Sequence, residues 1–366
     1  MERSRIDPTY LDDECDFVFF CFQKTSNKMK LFRGMRALSL ASGNTSGYLK
    51  YALGEIVFVV VGILLAFQID NWNTHRNSVL NAHHLYEQVQ SELVLNINNC
   101  NTVLEQYRGK DTLVHDILHR EVTRQDYIDH LVYGLVLLTQ EEVEVSSEAF
   151  LNLVNSQDVF AKDQGDIVLE LKELYGNDKR DLDKLNKIAT SNTLEYHKQF
   201  KNEQTWYADL FINLKVPDVM IDHCMEDPFY FNSMVHFHFI NLRNHVRYTL
   251  NFRNRAIDIH ERLAEEMNLA LDSTLVLKSV ECQHLLGHYS APDFNLNIVM
   301  EQDKLMGYQI DENTGVELEA SRVYSETPDE FIFGDMFGRV VRDKAGAVSG
   351  LRLSLGRIST ELVKDS

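Results

Sequence analysis

The chain is poor in the residues and motifs by which chemistry is most easily recognised. Five cysteines, Cys15, Cys21, Cys100, Cys224 and Cys282, form no Cys-x-x-Cys and no zinc-like pairing. Basic charge is also short: 36 Lys and Arg face 55 Asp and Glu, a net charge of -19. That balance argues against nucleic acid as a partner, which would need a basic patch to replace phosphate counterions, and it disfavours adhesion to anionic headgroups. No GxGxxG, phosphate-binding loop, HExxH or GxSxG occurs. The most recognisable ways of holding a dinucleotide, a phosphate, a catalytic zinc or a nucleophilic serine are therefore absent.

One stretch stands out against this background. From Tyr51 to Ile69, nineteen residues contain Glu55 as the only charge and Gln68 as the only other strongly polar group. At ~1.5 Å per residue a helix of that length approaches the ~30 Å hydrocarbon thickness of a bilayer. Lys50 stands at the entry, and Asp70, Asn71 and Trp72 at the exit, where a membrane interface would hold them. Phe67 to Trp72 offers no small-residue cleavage site, so the segment reads as a retained signal anchor. Lys30, Arg33, Arg36 and Lys50 precede it, whereas Arg76 alone follows within twenty residues. Basic residues stay inside, which puts the amino end in the cytoplasm and the carboxyl end outside.

Gly62 and Ala66 share one helical face and would let a second span approach, giving a homo-dimer; ordinary membrane-helix composition explains them equally. Glu55, one turn inside the apolar run, either reaches back to headgroup water near Lys50 or marks a proton or ion site.

Gly54-Glu55-Ile56, Gly62-Ile63-Leu64, Ala66, Gln68-Ile69 and Asn71-Trp72 resemble the signature of a family of bacterial single-pass membrane proteins catalogued as domain of unknown function 6090. Ser146-Ser147 with Ala149, Leu153 and Ser156 resembles a second recurrent stretch of that family. Together the two cover roughly residues 29 to 268. The resemblance implies the bacterial inner membrane, an extracytoplasmic (periplasmic) remainder and no established activity. It also implies a start at Met29, followed by the short basic segment Lys30 to Arg33, with residues 1 to 28 an extension.

The rest of the chain divides by period. Residues 1–47 read as a cytoplasmic segment, 48–73 as the transmembrane anchor, 74–270 as an extracytoplasmic antiparallel helical bundle and 271–366 as an antiparallel β domain, an α+β protein as a whole. Leu85, Val89, Leu93, Ile97, Cys100, Leu104 and Tyr107 form the stripe of an amphipathic helix that can continue the span outward. Shorter helices are expected at about 111–119, 124–138 and 147–156, with Thr123 and Ser146 or Ser147 as N-caps. A pattern from Asp166 to His197 meets Gly176-Asn177, a helix stop or a weak point; Pro217 and Pro228 bracket a loop; Val235 to Met267 mark a last long helix.

Beyond Leu271, seven short alternating segments between Asn295 and Val363 predict strands, with Gln302-Asp303 and Asp343 to Gly346 as hairpin connections. Leu286-Gly287-His288-Tyr289, Asp329-Glu330-Phe331 and Asp343 to Leu353 resemble the lipocalin-like accessory domain behind β-lactamase-type serine hydrolases, which implies a small antiparallel barrel or lipocalin-like sheet. The hydrolase motif is missing, since no Ser has Lys three residues later.

Candidate sites rest on spacing alone. Asp111, His115 and His119 fall every four residues and on a helix would share a face, offering three metal ligands or simply a solvated row. His236 and His238 would diverge on a helix. Asp258, His260 and Glu261 offer acid-base groups, and Phe229, Tyr230, Phe231, Phe237 and Phe239 read as core before they read as a ligand box. No cofactor is expected. Two functions follow: a non-enzymatic envelope module that binds a protein, a glycan or a lipid, or a membrane-anchored metal-dependent enzyme. One disulfide among Cys100, Cys224 and Cys282 would suit an oxidising compartment, with the pairing open.

Overall fold

The computed structural model describes residues 45–156, 165–272, 274–276, 279–310, 316–355 and 358–365. The expectations for residues 1 to 44, including the start at Met29, lie outside them. The chain divides into two compact units, Met1–Val79 and Leu80–Ser366. It is an α+β protein with a long apolar helix and a closed antiparallel barrel at its carboxyl end.

Helix α1 runs without interruption over Thr45–Leu118. No separate helix begins near residue 111: Gly109 continues the helix, and Val114 and Ile117 extend its buried stripe beyond Tyr107. Its apolar window has a mean hydropathy of 2.1 with none of it buried, long and apolar enough to cross a membrane. Leu53, Ile56, Phe58, Ile63, Phe67 and Ile69 are all more than half exposed. In the second unit the same helix turns amphipathic, with Val89, Leu93, Ile97, Cys100, Leu104 and Tyr107 at most 2% exposed. The stripe read from the sequence is the stripe that packs.

Short helices follow: α2 (Arg124–Asp129), α3 (Val132–Leu135) with a 3-10 turn at Val136–Leu138, and α4 (Glu148–Asn155). Thr123 caps α2 through a capping box with Asp126, as expected. At α4 the cap comes from elsewhere: Glu92 of α1 accepts from Ala149 N (2.9 Å), Phe150 N (3.2 Å) and Ser146 Oγ (2.8 Å). A carboxylate at a helix start meets the unpaired N–H groups and the positive end of the dipole.

Gly176-Asn177 neither stops nor breaks its helix. α5 (Gly165–Glu173) passes through a π-helical turn, Leu174–Asp178, into α6 (Lys179–Glu203). Pro217 and Pro228 also bracket something other than a loop: after α7 (Tyr207–Asn213), Asp218–Glu226 is helix α8, and Pro228 opens α9 (Pro228–Phe237). Proline lacks only an N–H that the first turn leaves unpaired, so it starts a helix as readily as it ends one. A second π-helical stretch, His238–Asn244, joins α9 to α10 (His245–Glu266). α10 is buried on most of its surface, with Leu250, Phe252, Ala256, Ile257 and Leu263 at 0 or 1% exposure. It is the central helix of the unit.

Eight strands form the barrel: β1 (Gly287–Ala291), β2 (Phe294–Glu301), β3 (Lys304–Ile310), β4 (Glu317–Thr327), β5 (Glu330–Phe333), β6 (Met336–Arg342), β7 (Val348–Leu355) and β8 (Ile358–Lys364). Each pairs antiparallel with the next, and Tyr289↔Lys364 and Ser290↔Val363 join β8 to β1. The sequence reading missed β1, whose few residues carry little alternation. Gln302 and Asp303 both adopt positive φ, 48° and 60°, as a tight hairpin demands even without Asn-Gly. Inside, Leu296, Ile298, Val323, Phe331, Phe333, Leu351, Leu353 and Leu362 fill the barrel. The Phe331 ring lies over Gly338 and the Phe333 ring over Gly307, where a Cβ would collide. These side chains make the interior a packed core.

The outer face of β4 and β5 is buried too. Tyr324 and Ile332 belong to the helical core, and Met336 and Phe337 pack against it. Alternation along β4 and β5 thus sends one set of side chains into the barrel and the other toward α10, which fuses helices and barrel into one unit.

Candidate functional site

The seam between helices and barrel carries the polar chemistry of the second unit. β4 aims Arg322, Tyr324 and Glu326, two residues apart, at α10. Arg322 donates to Asp258 (2.6 Å) and in a fork to Glu261 (2.6 and 2.7 Å), while the Tyr324 hydroxyl donates to Asp258 (2.8 Å). Burial alone would raise the Glu261 carboxyl, yet Arg322 and Lys304 outweigh it and hold it below the usual range. One step along, Arg253, 1% exposed, donates to Glu326 (3.0 Å), which also accepts from Arg108 (2.5 Å). Asp258 and Glu261 are therefore spoken for as Arg322 partners. His260 of the same helix is 1% exposed, and burial pushes it below the ordinary histidine range. The three do not assemble into an acid-base group.

Beside this lattice lies a cavity of about 280 Å³. α1 lines it with Arg108 and Asp111, the π-helical stretch with Arg243, and the barrel with Glu330, Arg339 and Arg352. The barrel wall is a cross-strand row in which Glu330 faces Arg339, Arg339 faces Arg352, and Arg352 faces Glu361. Arg339 donates to Glu330 (2.7 Å), and Arg352 donates to Glu361. The Arg108 guanidinium rests 4.5 Å from the Phe337 ring centroid. Arg243 makes no hydrogen bond or ion pair among the described residues. One Asp111 carboxylate oxygen is buried without a hydrogen-bond partner, and burial raises that carboxyl above the ordinary value. A second cavity, about 410 Å³, lies near Arg255 and Arg322, but its cations are already paired, Arg255 with Asp178 at 2.6 Å and Arg322 with Asp258.

The row Asp111, His115 and His119 comes out divided. Asp111 lines the cavity; His115 and His119 stack, ring centroids 3.9 Å apart, with His119 Nδ1 at 2.8 Å from the His115 carbonyl. Ligand atoms that lie within 4.8 Å of one another belong instead to His115, Asp116 and Glu121. His236 and His238 do diverge on their helix, His236 to the Tyr196 hydroxyl (3.0 Å) and His238 into the core. Of the aromatic cluster, Tyr230 and Phe237 are core at 1% exposure, whereas Phe239 is 49% exposed. Cys100, Cys224 and Cys282 are free and buried, and burial pushes the Cys100 and Cys224 thiols up to about 12, which makes them unreactive.

Around the apolar helix, Gly54 and Gly62 have open space where a Cβ would stand, Ala66 and Gln68 are exposed, and the Arg76 guanidinium lies 5.7 Å from the ring centroid of Trp72. Lys50 lies in the first turns of α1. The arginines of the cavity escaped the sequence reading because no spacing marks them: Arg108, Arg243, Arg339 and Arg352 come from four separate segments. Only strand register and helix packing bring them together.

The fold and cavity thus define an α+β protein with, among the described residues, one membrane-length apolar helix and a closed eight-stranded barrel joined to helices through an arginine-carboxylate seam. The chain matches no protein-family model and no curated protein.

Proposed function

We propose that the protein is a single-pass membrane protein of the bacterial inner membrane, amino end cytoplasmic, whose helical bundle and barrel form an extracytoplasmic, non-enzymatic binding module. The observation that carries this reading is the exposed apolar surface of α1 from Leu53 to Ile69, which in water would cost far more than single surface hydrophobes do. The resemblance of Gly54 to Trp72 to a single-pass family supports the same topology. Within the module the cavity lined by Arg108, Asp111 and Arg243 is the binding site, because it joins a concave volume to an Arg243 guanidinium and a buried Asp111 oxygen that have no hydrogen-bond partner among the described residues. Reporter fusions after Asn73 test the topology: activity of an export-dependent reporter is expected, and cytoplasmic labelling of residues in the helices would overturn it.

The second reading, a metal-dependent enzyme, draws on His115, Asp116 and Glu121, three residues that could share an ion. It predicts that zinc or manganese raises the melting temperature and that chelator lowers it. An unchanged melting temperature disposes of it.

A further inference from the structure

Resting on the reading of this cavity as the binding site, we infer that its ligand is a small hydroxylated organic acid of the size of one sugar unit, such as a uronic acid. The barrel wall sets Arg339 directly opposite Arg352. Like charges in facing positions repel, and a shared anion removes the repulsion. Each already has a carboxylate on its far side, Glu330 and Glu361, so the pair takes a share of an anion and little more. Arg243 on the opposing helix has no counter-ion among the described residues. An anion seated against Arg243 and the Arg339–Arg352 pair meets cations on that side, while the Asp111 carboxyl on the α1 wall opposes a second negative charge, which selects a monoanion over a polyanion. Asp111 then decides the remainder of the ligand: its buried oxygen lacks a donor, and a hydroxyl next to the acid group supplies one. A volume of about 280 Å³ holds a single sugar ring and excludes a lipid chain or a folded peptide.

The test is calorimetric titration of the full-length protein in detergent with sodium glucuronate, glucose and inorganic phosphate. Glucuronate should bind saturably, one molecule per chain, with glucose and phosphate each weaker by roughly tenfold, the worth of one charge-assisted or buried hydrogen-bond set. R243Q should weaken glucuronate by roughly tenfold or more. R352Q, on a half-exposed strand position, reads the same loss should R243Q fail to fold. T112W places an indole at the mouth of the cavity from an exposed helix position and should abolish binding. Glucose binding as tightly as glucuronate, and lost in T112W, overturns the acid while leaving the cavity as the site. Phosphate binding tighter than glucuronate overturns the hydroxylated acid in the same way. Glucuronate binding that R243Q, R352Q and T112W all leave unchanged, or no heat from any probe, overturns the inference; the first of these also removes the cavity from the functional reading.

Discussion

At the scale of single residues, the seam between α10 and β4 holds one buried cation, Arg253, whose counter-charge among the described residues is Glu326. Arg253 is 1% exposed and, besides donating to the neutral side-chain oxygens of Asn101 and Asn254, pairs with Glu326, so removing that carboxylate leaves a buried cation without a counter-charge. E326Q should therefore destabilise the protein by roughly 3–5 kcal/mol in urea unfolding, far more than loss of the exposed Arg124–Asp222 pair, for which about 0–1 kcal/mol is expected. A cost near zero for E326Q would mean that the neutral acceptors Asn101 and Asn254, or water, are enough to hold the Arg253 cation. His245 makes a second residue-scale prediction. Burial holds it down to about 4 in the folded state against 6.5 in the unfolded chain, and its Nε2 lies 2.7 Å from the Asn186 side-chain oxygen. The unfolded state therefore binds the proton first as pH falls. The stability this gives is complete above pH 6.5 and drains away toward pH 4, by roughly 3 kcal/mol for this one group. His223 and His260, also held low by burial, act in the same direction. Urea unfolding at about pH 7.5 and about pH 4.5 should show the loss, and H245Q should show a smaller one across the same interval.

At the scale of elements, the barrel is closed by size as much as by hydrogen bonds. Gly307 and Gly338 leave the room that the Phe333 and Phe331 rings occupy, so large and small positions interdigitate across neighbouring strands. G338A should cost on the order of 1–3 kcal/mol, and adding F331L should recover much of it, because the smaller side chain vacates the space the new methyl needs. Additive losses in the double variant would show that the two positions do not share a contact. Much of this element was readable beforehand: the alternation in Asn295 to Glu301 and Val348 to Leu355, and the turn at Gln302-Asp303. Whether the strands made an open sheet or a barrel was not readable, since closure rests on the pairing of Tyr289 and Ser290 with β8, far along the chain. The helices divide the same way. The stripe from Val89 to Tyr107 was plain, while the two π-helical stretches left no trace in periodicity because one extra residue in a turn only rotates the buried face.

At the scale of the whole molecule, the helical part and the barrel cannot unfold separately at little cost. Tyr324 and Ile332 of the barrel sit in the helical core, and Arg322 is clasped by two carboxylates of α10. A soluble chain beginning at Leu80 should fold on its own and melt in one transition. Far-ultraviolet circular dichroism and the fluorescence of Trp206, the single tryptophan left and 2% exposed, should coincide through that transition. Two separated transitions would mean that the seam is an ordinary domain contact. Full-length protein, by contrast, should need detergent, and its release from membranes by high salt alone would count against the span.

Composition and periodicity were enough to determine the long apolar stretch, the amphipathic face that follows it and the alternating strands from about Asn295 onward. Those properties are local: burial repeats along one helix or strand with a fixed period, and a window of residues contains it. The chain folding on itself decided what no window contains. Closure of the barrel, the fit of rings over Gly307 and Gly338, and the gathering of Arg108, Arg243, Arg339 and Arg352 around one cavity all join residues distant in sequence. Such contacts follow from strand register and packing against α10, which exist only once the chain has collapsed.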